Sequence, residues 1–333
     1  MKKFVLEVSD GEKNTAGEKA KKDITDILIK NDYKAVKLNL KRSKLGKLLF
    51  TLHEVHKKTR NLNKGDIFII QYPMYSRYAT KTLVDYCKKR QIKTICVIHD
   101  IESLRLYKND DRKIQDELSI LQRFDCLITH NASMSAWLRE KGITAKISEL
   151  QIFDYLNEQK NKENIKDNNI VFAGNLAKAS FLKKWDIDKK ITVFGVNPEG
   201  KYPRNVDYKG VKSPDELPKF LQGSFGLIWD GNSMQTNDGV FGEYTKYNNP
   251  HKASLYISCE LPVIVWDHAA IADFVRDNNI GLVVSNIYDL QKMLSKMSNN
   301  EYLELVKNTK TISKKIRSGY FTLNSIKRAI ESI

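Results

Sequence analysis

The chain of 333 residues is long enough for two domains, each with its own hydrophobic core. Its apolar content of 41% is typical of globular proteins and argues against global disorder. A formal net charge of +16 favours anionic partners, but no nucleic-acid-binding module is legible, so no nucleic acid is expected. No apolar run reaches the roughly 18–20 residues of a membrane span, and no signal-peptide pattern opens the chain, which predicts a cytoplasmic protein.

The first half of the chain alternates short apolar runs with amphipathic stretches. This alternation predicts strands separated by helices, and hence a doubly wound, mostly parallel sheet of α/β class. The predicted strands cover residues 4–8, 35–40, 67–72, 94–98, 126–129 and 146–150, and the predicted helices 16–31, 45–55, 78–90, 110–123 and 133–141. The predicted helix 45–55 has an apolar stripe and a basic opposite face. It could lie on a membrane surface, although packing on a sheet is favoured.

A polar, charged segment without aromatic residues, 159–169, predicts a linker. The strand and helix pattern then restarts. Predicted strands begin at 170 and cover 191–194, 226–229, 263–266 and 281–284, and predicted helices cover 214–221, 271–278 and most of 287–333, broken at 318–319. The expected domains are 1–158 and 170–315, with a C-terminal helix, 316–333, packing back on the first domain.

One stretch of the second half, beginning at Pro250, has the pattern of an anion site. Pro250 suits the first turn of a helix, because the amide that it lacks would be unpaired there. Lys252 then lies beside amides that carry a partial positive charge. A lysine and free amides at a helix start favour an anion such as a diphosphate. The alternative is an ordinary helix–turn–strand unit with a solvated lysine.

Ligands of open α/β sheets bind beyond the carboxyl ends of the strands. If these edges of the two halves face one cleft, a ligand is expected between the domains. The segments that follow predicted strands or open the Pro250 helix are 10–17, 72–76, 99–105, 129–133, 174–178, 230–232 and 248–252.

Three motifs in the second half occur in a specific order. They are Phe172-Ala173-Gly174-Asn175-Leu176, the Pro-x-Lys helix start at Pro250, and Glu260-Leu261-Pro262-Val263-Ile264. Together they resemble GT-B nucleotide-sugar glycosyltransferases. More narrowly, the chain is similar to bacterial transferases that add glucose to N-acetylglucosamine on serine-rich-repeat adhesins, a family that includes β-1,6-galactofuranosyltransferases. Two positions depart from the family pattern: Glu260, where glycine is usual, and Lys178, where arginine can occur.

The resemblance implies two Rossmann-like domains facing an inter-domain cleft and a UDP-sugar donor. The residues that would contact the donor are Thr15, Ala16, Gly17, Gly174, Asn175, Lys178, Asn248, His251 and Lys252. Lys178 and Lys252 would stabilise the charge on the leaving diphosphate, so neither a metal nor a cofactor is expected. A turn that needs positive φ is the alternative role for Gly174 and Asn175, and a solvated loop position is the alternative for Lys178.

The residues do not decide between inversion and retention, but the resemblance favours inversion, and an inverting transferase needs a base for the acceptor hydroxyl. Asp100 and His99, at the end of a predicted strand, are the candidates, with Asp100 ahead. A capping aspartate and a packed histidine are the alternative roles. Arg105 either positions the acceptor or pairs with Glu102. The acceptor-side candidates are Tyr72, Arg105 and His130.

The sequence therefore predicts a metal-independent transferase that moves glucose from UDP-glucose to N-acetylglucosamine O-linked to serine or threonine of an adhesin. UDP-N-acetylglucosamine or UDP-galactofuranose with a glycan acceptor is the enzymatic alternative, and a non-catalytic subunit of a glycosylation complex is the other. The resemblance implies a homo-oligomer, as a homotetramer, and a peripheral membrane or glycosylation-complex contact stays open. Asp186-Ile187-Asp188 resembles the metal-binding Asp-x-Asp of another glycosyltransferase fold, but a turn is favoured because the strand follows it.

Overall fold

The computed structural model of the protein describes residues 1–9, 16–39, 44–74, 76–159, 166–167 and 169–333. The chain divides into two compact units, Met1–Leu150 with Phe321–Ile333, and Gln151–Tyr320. Most of the segment expected to be a linker, residues 160–165 and 168, lies outside the described residues.

The N-terminal unit is built on a six-stranded sheet, as far as the described residues show, in the order β2-β1-β3-β4-β5-β6. Every neighbouring pair in it is parallel. The strands are β1 (Lys3–Ser9), β2 (Lys34–Asn39), β3 (Ile67–Tyr72), β4 (Lys93–Ile98), β5 (Cys126–Thr129) and β6 (Lys146–Glu149). All six residues of β3 are buried, because helices cover a parallel sheet on both faces.

Helices connect these strands, and the last helix of the chain joins them. They are α1 (Ala16–Ile29), α2 (Lys44–Thr59), α3 (Arg77–Lys89), α4 (Asp111–Leu121), α5 (Ala132–Glu140) and α11 (Tyr320–Glu331). Helix α11 is tied to β6, since Ser148 Oγ donates to the Ser325 carbonyl at 2.9 Å and Arg328 donates to the Glu149 carbonyl at 2.6 Å. It follows the left-handed Gly319, at φ +81, which ends the preceding helix.

The C-terminal unit has a second parallel sheet of six strands in its described part, in the order β12-β11-β10-β7-β8-β9. Its strands are β7 (Ile170–Ala173), β8 (Ile191–Phe194), β9 (Val206–Tyr208), β10 (Phe225–Ile228), β11 (Val263–Trp266) and β12 (Gly281–Val284). The sequence pattern did not predict β9, which has only three residues and just one buried side chain, Val206.

The α-helices of this unit are α6 (Gly239–Tyr244), α7 (His251–Ser258), α8 (Ala272–Asp277), α9 (Asp289–Lys296) and α10 (Asn299–Ser318). The predicted helix at 214–221 was wrong: only a 3₁₀ turn, Leu217–Lys219, forms there, and Pro218 within it lacks the amide that an α-helix needs. Helix α6 was not predicted. None of the helices in the described ranges combines the length and the hydrophobicity that crossing a bilayer demands.

Gly226 in β10 fixes how closely α7 packs on the sheet. A Cβ atom at Gly226 would lie 2.3 Å from the Tyr256 ring, so only glycine admits this packing. The Tyr256 hydroxyl in turn accepts a hydrogen bond from the Ala173 amide at 2.7 Å, which ties α7 to β7. The first turn of α7 is thereby held beside the carboxyl ends of β7 and β10.

Candidate functional site

Helix α7 begins where the sequence placed an anion site. Pro250 is its N-cap, with φ −62° and ψ 134°, and no side chain caps the helix. The six residues from Ala253 to Ser258 are all buried, so the packed body of the helix holds its first turn in place. Lys252, the second residue of the helix, therefore projects from a rigid element rather than from a loop.

The Lys252 ammonium lies at the carboxyl edge of the sheet. Its Nζ donates to the Trp229 carbonyl at 3.0 Å and to Asp230 Oδ1 at 2.8 Å. It also lies 4.6 Å from the centre of the Phe172 ring. An ammonium has three N–H groups, and these two acceptors use two of them. The third N–H has no oxygen acceptor among the described residues.

Asp230 pairs with Lys252 and is therefore a functional candidate. The sequence did not predict this pairing. The two side chains are only 15% and 13% exposed. Asp230 lies on a loop fixed at its next residue, Gly231, whose φ is +114° and whose amide donates to the Lys178 carbonyl at 2.7 Å. The available signal was an acidic residue directly after a buried strand, but its partner lies 22 residues further along the chain.

The loop after β7 brings Lys178 to the same edge. Asn175 caps the 3₁₀ helix Leu176–Lys178 by accepting the Ala177 amide at 3.2 Å, and it also accepts from the Asn197 side chain at 3.0 Å. The side chain of Asn175 is thus committed to loop structure. The Lys178 ammonium lies 3.9 Å from the centre of the Phe241 ring. Because Lys178 bonds to Gly231 through its backbone, the loops that carry Lys178 and Asp230 form one connected edge.

Gly174 lies beside Lys252, and Asn248 and His251 precede Lys252 in the chain. A Cβ atom at Gly174 would be 3.9 Å from the Lys252 Nζ, so this glycine keeps space open beside the ammonium. The ring of His251 packs 5.0 Å from Tyr155 and 6.0 Å from Phe153. Asn248 Oδ1 is buried and has no hydrogen-bond partner among the described residues.

The donor-side residues proposed in the N-terminal unit are only partly described. Thr15 lies outside the described residues, and Ala16 begins α1. Gly17 is exposed, and no described atom beyond its chain neighbours and its own helix backbone lies within 4 Å of where its Cβ would be. Their proposed contact with a donor stays a prediction.

Asp100 and Arg105 form an ion pair after β4. Arg105 Nη1 lies 3.2 Å from Asp100 Oδ1, and the same guanidinium donates twice to Glu102, at 2.6 and 3.0 Å. The pairing of Arg105 with Glu102 that the sequence allowed is present. A role for Arg105 in positioning the acceptor stays a prediction. The Asp100 side chain is 31% exposed, so a ligand can reach it.

His99 is packed into the unit more deeply than Asp100. Its Nε2 lies 2.8 Å from Gln71 Oε1, and the Gln71 amide nitrogen donates to the Lys21 carbonyl at 3.1 Å. Gln71 therefore presents an oxygen to the imidazole, and Nε2 must carry the proton in that bond. With the proton on Nε2, only Nδ1 of a neutral His99 could accept a proton from a substrate.

Tyr72 ends β3 in a buried polar network that centres on Glu117. The Tyr72 hydroxyl donates to Glu117 at 2.7 Å, and the other Glu117 oxygen accepts the Ser103 amide at 2.7 Å and the Ser103 hydroxyl at 2.5 Å. Burial, followed by the Glu117 charge, raises the pKa of Tyr72 well above its usual value. Sequence reasoning missed Glu117, although a carboxylate on the apolar face of α4, between Ile114 and Leu121, was a visible signal.

His130 follows β5 and is 1% exposed. Its Nε2 lies 3.1 Å from the Ile98 carbonyl, which only accepts, so the imidazole donates. Burial lowers the pKa of His130 to about 4, so this side chain is neutral near pH 7. His130 thereby supports the backbone that leads from β4 into His99 and Asp100.

The Asp-x-Asp segment lies in a turn before β8, not at a strand's carboxyl end. Within the described ranges, no group of three or more His, Cys, Asp or Glu side chains is arranged to hold a metal ion.

Two family models cover almost the whole chain. The model described as "Glucosyltransferase 3-like, N-terminal domain" matches residues 2–152, and "Glucosyltransferase 3-like, C-terminal domain" matches residues 170–329. The chain belongs to the glucosyltransferase 3-like family. It is a glycosyltransferase, and the resemblance predicted from its motifs is confirmed.

Curated relatives of this glucosyltransferase 3-like chain include two activities. It is 34% identical to Beta-1,6-galactofuranosyltransferase WbbI of Escherichia coli (strain K12), over 96% of this chain and 95% of the relative. It is 24% identical to Glucosyltransferase 3 of Streptococcus gordonii, over 78% and 77%, and 24% identical to that of Streptococcus parasanguinis, over 97% and 96%.

Solved structures confirm the predicted GT-B fold. An α-glucosyltransferase in complex with UDP aligns over 99% of both chains with a TM-score of 0.62 and 12% identity. The structure described as trehalose-6-phosphate from E. coli bound with UDP-2-fluoro glucose aligns over 99% of both chains with a TM-score of 0.61 and 12% identity. At such identities the likeness shows the fold alone.

Glu260, the departure from the family pattern, has the backbone conformation that explains the usual glycine. It follows the C-cap of α7 with φ +61°, in the left-handed region that glycine adopts most readily. Its carboxylate lies 3.8 Å from the Lys310 ammonium. The turn therefore keeps the shape that glycine favours, with a strained glutamate in it.

Proposed function

We propose that this glycosyltransferase moves glucose from UDP-glucose to N-acetylglucosamine O-linked to serine or threonine of a serine-rich-repeat adhesin, without a metal. The observation that carries the donor half of this proposal is the Lys252 ammonium, held at the start of α7 by two acceptors at the carboxyl edge of the sheet. The names of the Streptococcus relatives favour glucose as the sugar. The UDP complexes among the structural neighbours favour UDP as its carrier.

In this proposal the protein acts on the leaving group. As the bond from sugar to phosphate breaks, negative charge grows on the UDP oxygens, and a preorganised cation stabilises it more than it stabilises the ground state. Lys252 supplies that cation, and the amides of the first turn of α7 add the positive end of the helix dipole. Asp230 holds the ammonium in place before the donor binds.

Lys178 would supply a second positive charge to the diphosphate. Its ammonium lies against the Phe241 ring, and its backbone is bonded to the loop that carries Asp230. A movement of either loop would therefore shift both cations relative to the donor. Two lysines in this arrangement assign to side chains the charge neutralisation that a divalent metal performs in other transferases.

Asp100 is the proposed base for the acceptor hydroxyl, ahead of His99. A base needs an atom that can take the proton and lies within hydrogen-bond reach of the hydroxyl. The Asp100 carboxylate is partly exposed, whereas the Nε2 atom of His99 is buried and donates to Gln71. Arg105 would orient the carboxylate, and Tyr72 and His130 would support the loop from beneath.

A panel of UDP-sugars tests the proposal. UDP release should depend on a glycopeptide that carries O-linked N-acetylglucosamine, should be greatest with UDP-glucose, and should persist in a chelator. Lys252→Ala should abolish most of it. Lys292→Ala is the matched control, because it removes an exposed lysine of α9 in the same unit. Full transfer by Lys252→Ala would overturn the site assignment. Stabilisation of a partner transferase without any turnover would instead indicate a non-catalytic subunit.

The relative with 34% identity favours a second candidate, transfer of galactofuranose from UDP-galactofuranose to a glycan acceptor. The diphosphate contacts would be the same, because both donors carry UDP. The two proposals differ in the sugar ring, so the ratio of turnover with UDP-glucose to turnover with UDP-galactofuranose decides between them. UDP-N-acetylglucosamine belongs in the same panel.

Association is also a proposal. A homo-oligomer, as a homotetramer, would appear in light scattering as a mass about four times that of the chain, and a monomer mass would refute it.

A further inference from the structure

A cavity in the N-terminal unit is lined by none of the residues assigned to the donor. It has a volume of about 290 Å³ and lies beyond the carboxyl ends of β3 and β4. The residues of its wall that bear on its chemistry are Lys21, Met74, Ser76, Arg77, Glu102 and Tyr107. Through Glu102 it adjoins the ion-paired cluster of Asp100 and Arg105.

Arg77 gives the cavity its chemical character. It is the first residue of α3, and Ser76 caps that helix by accepting the Ala79 amide at 3.3 Å, so the arginine is placed by a rigid element. Its guanidinium lies 5.2 Å from the centre of the Tyr107 ring. Its Nη2 atom is buried and has no hydrogen-bond partner among the described residues. A buried donor of this kind is unfavourable unless some acceptor meets it.

The charge of the cavity wall is positive on balance. Lys21 contributes a second cation, and its ammonium donates to the Pro73 carbonyl at 2.7 Å. Glu102, the carboxylate among the described residues of the wall, accepts from Arg105 through both of its oxygens, at 2.6 and 3.0 Å. Glu102 therefore has a cationic partner outside the wall, Arg105, which it shares with Asp100. No carboxylate among the described residues forms an ion pair with Arg77.

We propose that this cavity is an anion subsite that binds a phosphate or carboxylate carried by the acceptor, with Arg77 as the residue that recognises it. A guanidinium presents parallel N–H groups that match the oxygens of either anion, and the Arg77 guanidinium lies beside the Tyr107 ring. The assignment to the acceptor rests on the proposed function. Binding of the anion itself does not, because it uses no residue of the donor site.

The test is calorimetry of the full chain with three small probes: N-acetylglucosamine 1-phosphate, glucuronic acid and neutral methyl N-acetylglucosaminide. The wild type should bind at least one of the anionic probes more tightly than the neutral one. Arg77→Gln should weaken binding of that probe about tenfold or more and leave the neutral probe unchanged. The affinity of Arg77→Lys for that probe should lie between the affinities of the wild type and of Arg77→Gln. Lysine keeps the positive charge but lacks the paired N–H groups of the guanidinium.

Arg112→Gln is the matched control, because it removes an exposed arginine from α4 in the same unit. Equal losses in Arg77→Gln and Arg112→Gln, or no preference of the wild type for an anion, would overturn the proposal. Arg77→Gln should leave the affinity for UDP unchanged, so a failed donor site and a failed anion subsite give different results. Tighter binding of the phosphate probe would point to a phosphate-linked acceptor, and tighter binding of the carboxylate probe to an acidic sugar.

Discussion

Replacement of Lys252 by methionine separates its structural contribution from its proposed role in donor binding. Methionine keeps most of the side-chain volume and removes the charge. In the folded protein it leaves Asp230, only 15% exposed, without its cation. Breaking a fully buried pair costs about 3–5 kcal/mol, and an exposed pair contributes about 0–1 kcal/mol. For this nearly buried pair we expect a loss of about 2 kcal/mol in the free energy of unfolding.

The effect of Lys252→Met on donor binding should be separate from that loss. A hydrogen bond from an ammonium to a diphosphate oxygen contributes about 1.5–3 kcal/mol, which is a tenfold to hundredfold weaker Kd for UDP when it is removed. The double variant Asp230→Asn/Lys252→Met carries no unpaired charge at either position. It should regain most of the stability and none of the UDP affinity.

Urea unfolding and UDP titration by calorimetry measure these two quantities on the same samples. A double-mutant cycle that includes Asp230→Asn gives the coupling energy of the pair directly. Wild-type UDP affinity in a destabilised Lys252→Met protein would show that the lysine is only a structural cation, and the donor-site reasoning would then be wrong.

Three further predictions concern the fold. The pKa of His130 falls from 6.5 to about 4 on folding, so the contribution of the neutral side chain to stability is complete above pH 6.5 and is lost as pH falls towards 4. The free energy of unfolding in urea should therefore be about 2 kcal/mol lower at pH 5 than at pH 7. His130→Gln should remove this part of the pH dependence. Glu260→Gly should raise stability by about 0.5–1 kcal/mol in the same assay, whereas Glu260→Ala, which keeps the left-handed strain, should give no gain. Gly226→Ala should lower stability by about 1–3 kcal/mol because its Cβ would overlap the Tyr256 ring, and an unchanged unfolding midpoint would contradict that packing.

Much of the fold could be predicted from local patterns, because the sequences of buried parallel strands are short apolar runs. Strand Ile67–Tyr72 ends before a proline, and strands Cys126–Thr129 and Ile191–Phe194 end before a histidine and a glycine, so their bounds were predicted to the residue. The turn around Pro218 and the strand around Val206 were missed, since one depends on a single lost amide and the other exposes most of its length.

The candidate site was less accessible to the same reasoning, because its partners are brought together by packing. Lys252 reaches Asp230 because Gly226 lets Tyr256 of α7 pack against β10. No periodicity in the sequence predicts how closely α7 packs on the sheet. The tautomer of His99 likewise depends on the amide orientation of Gln71, a residue 28 positions away. Positions at strand ends could be predicted, but the bonds between them could not.

The hydrogen-bond partners of Lys252 distinguish it from a solvated lysine. A solvated lysine would be free to follow any anion, whereas Lys252 has two fixed acceptors and one remaining N–H. A cation held in this way loses little conformational entropy when a diphosphate binds, and it needs no reorganisation as charge develops on the leaving group. Asp230 therefore belongs to the proposed site as its positioning residue, although it carries the same sign of charge as the ligand that the site would bind.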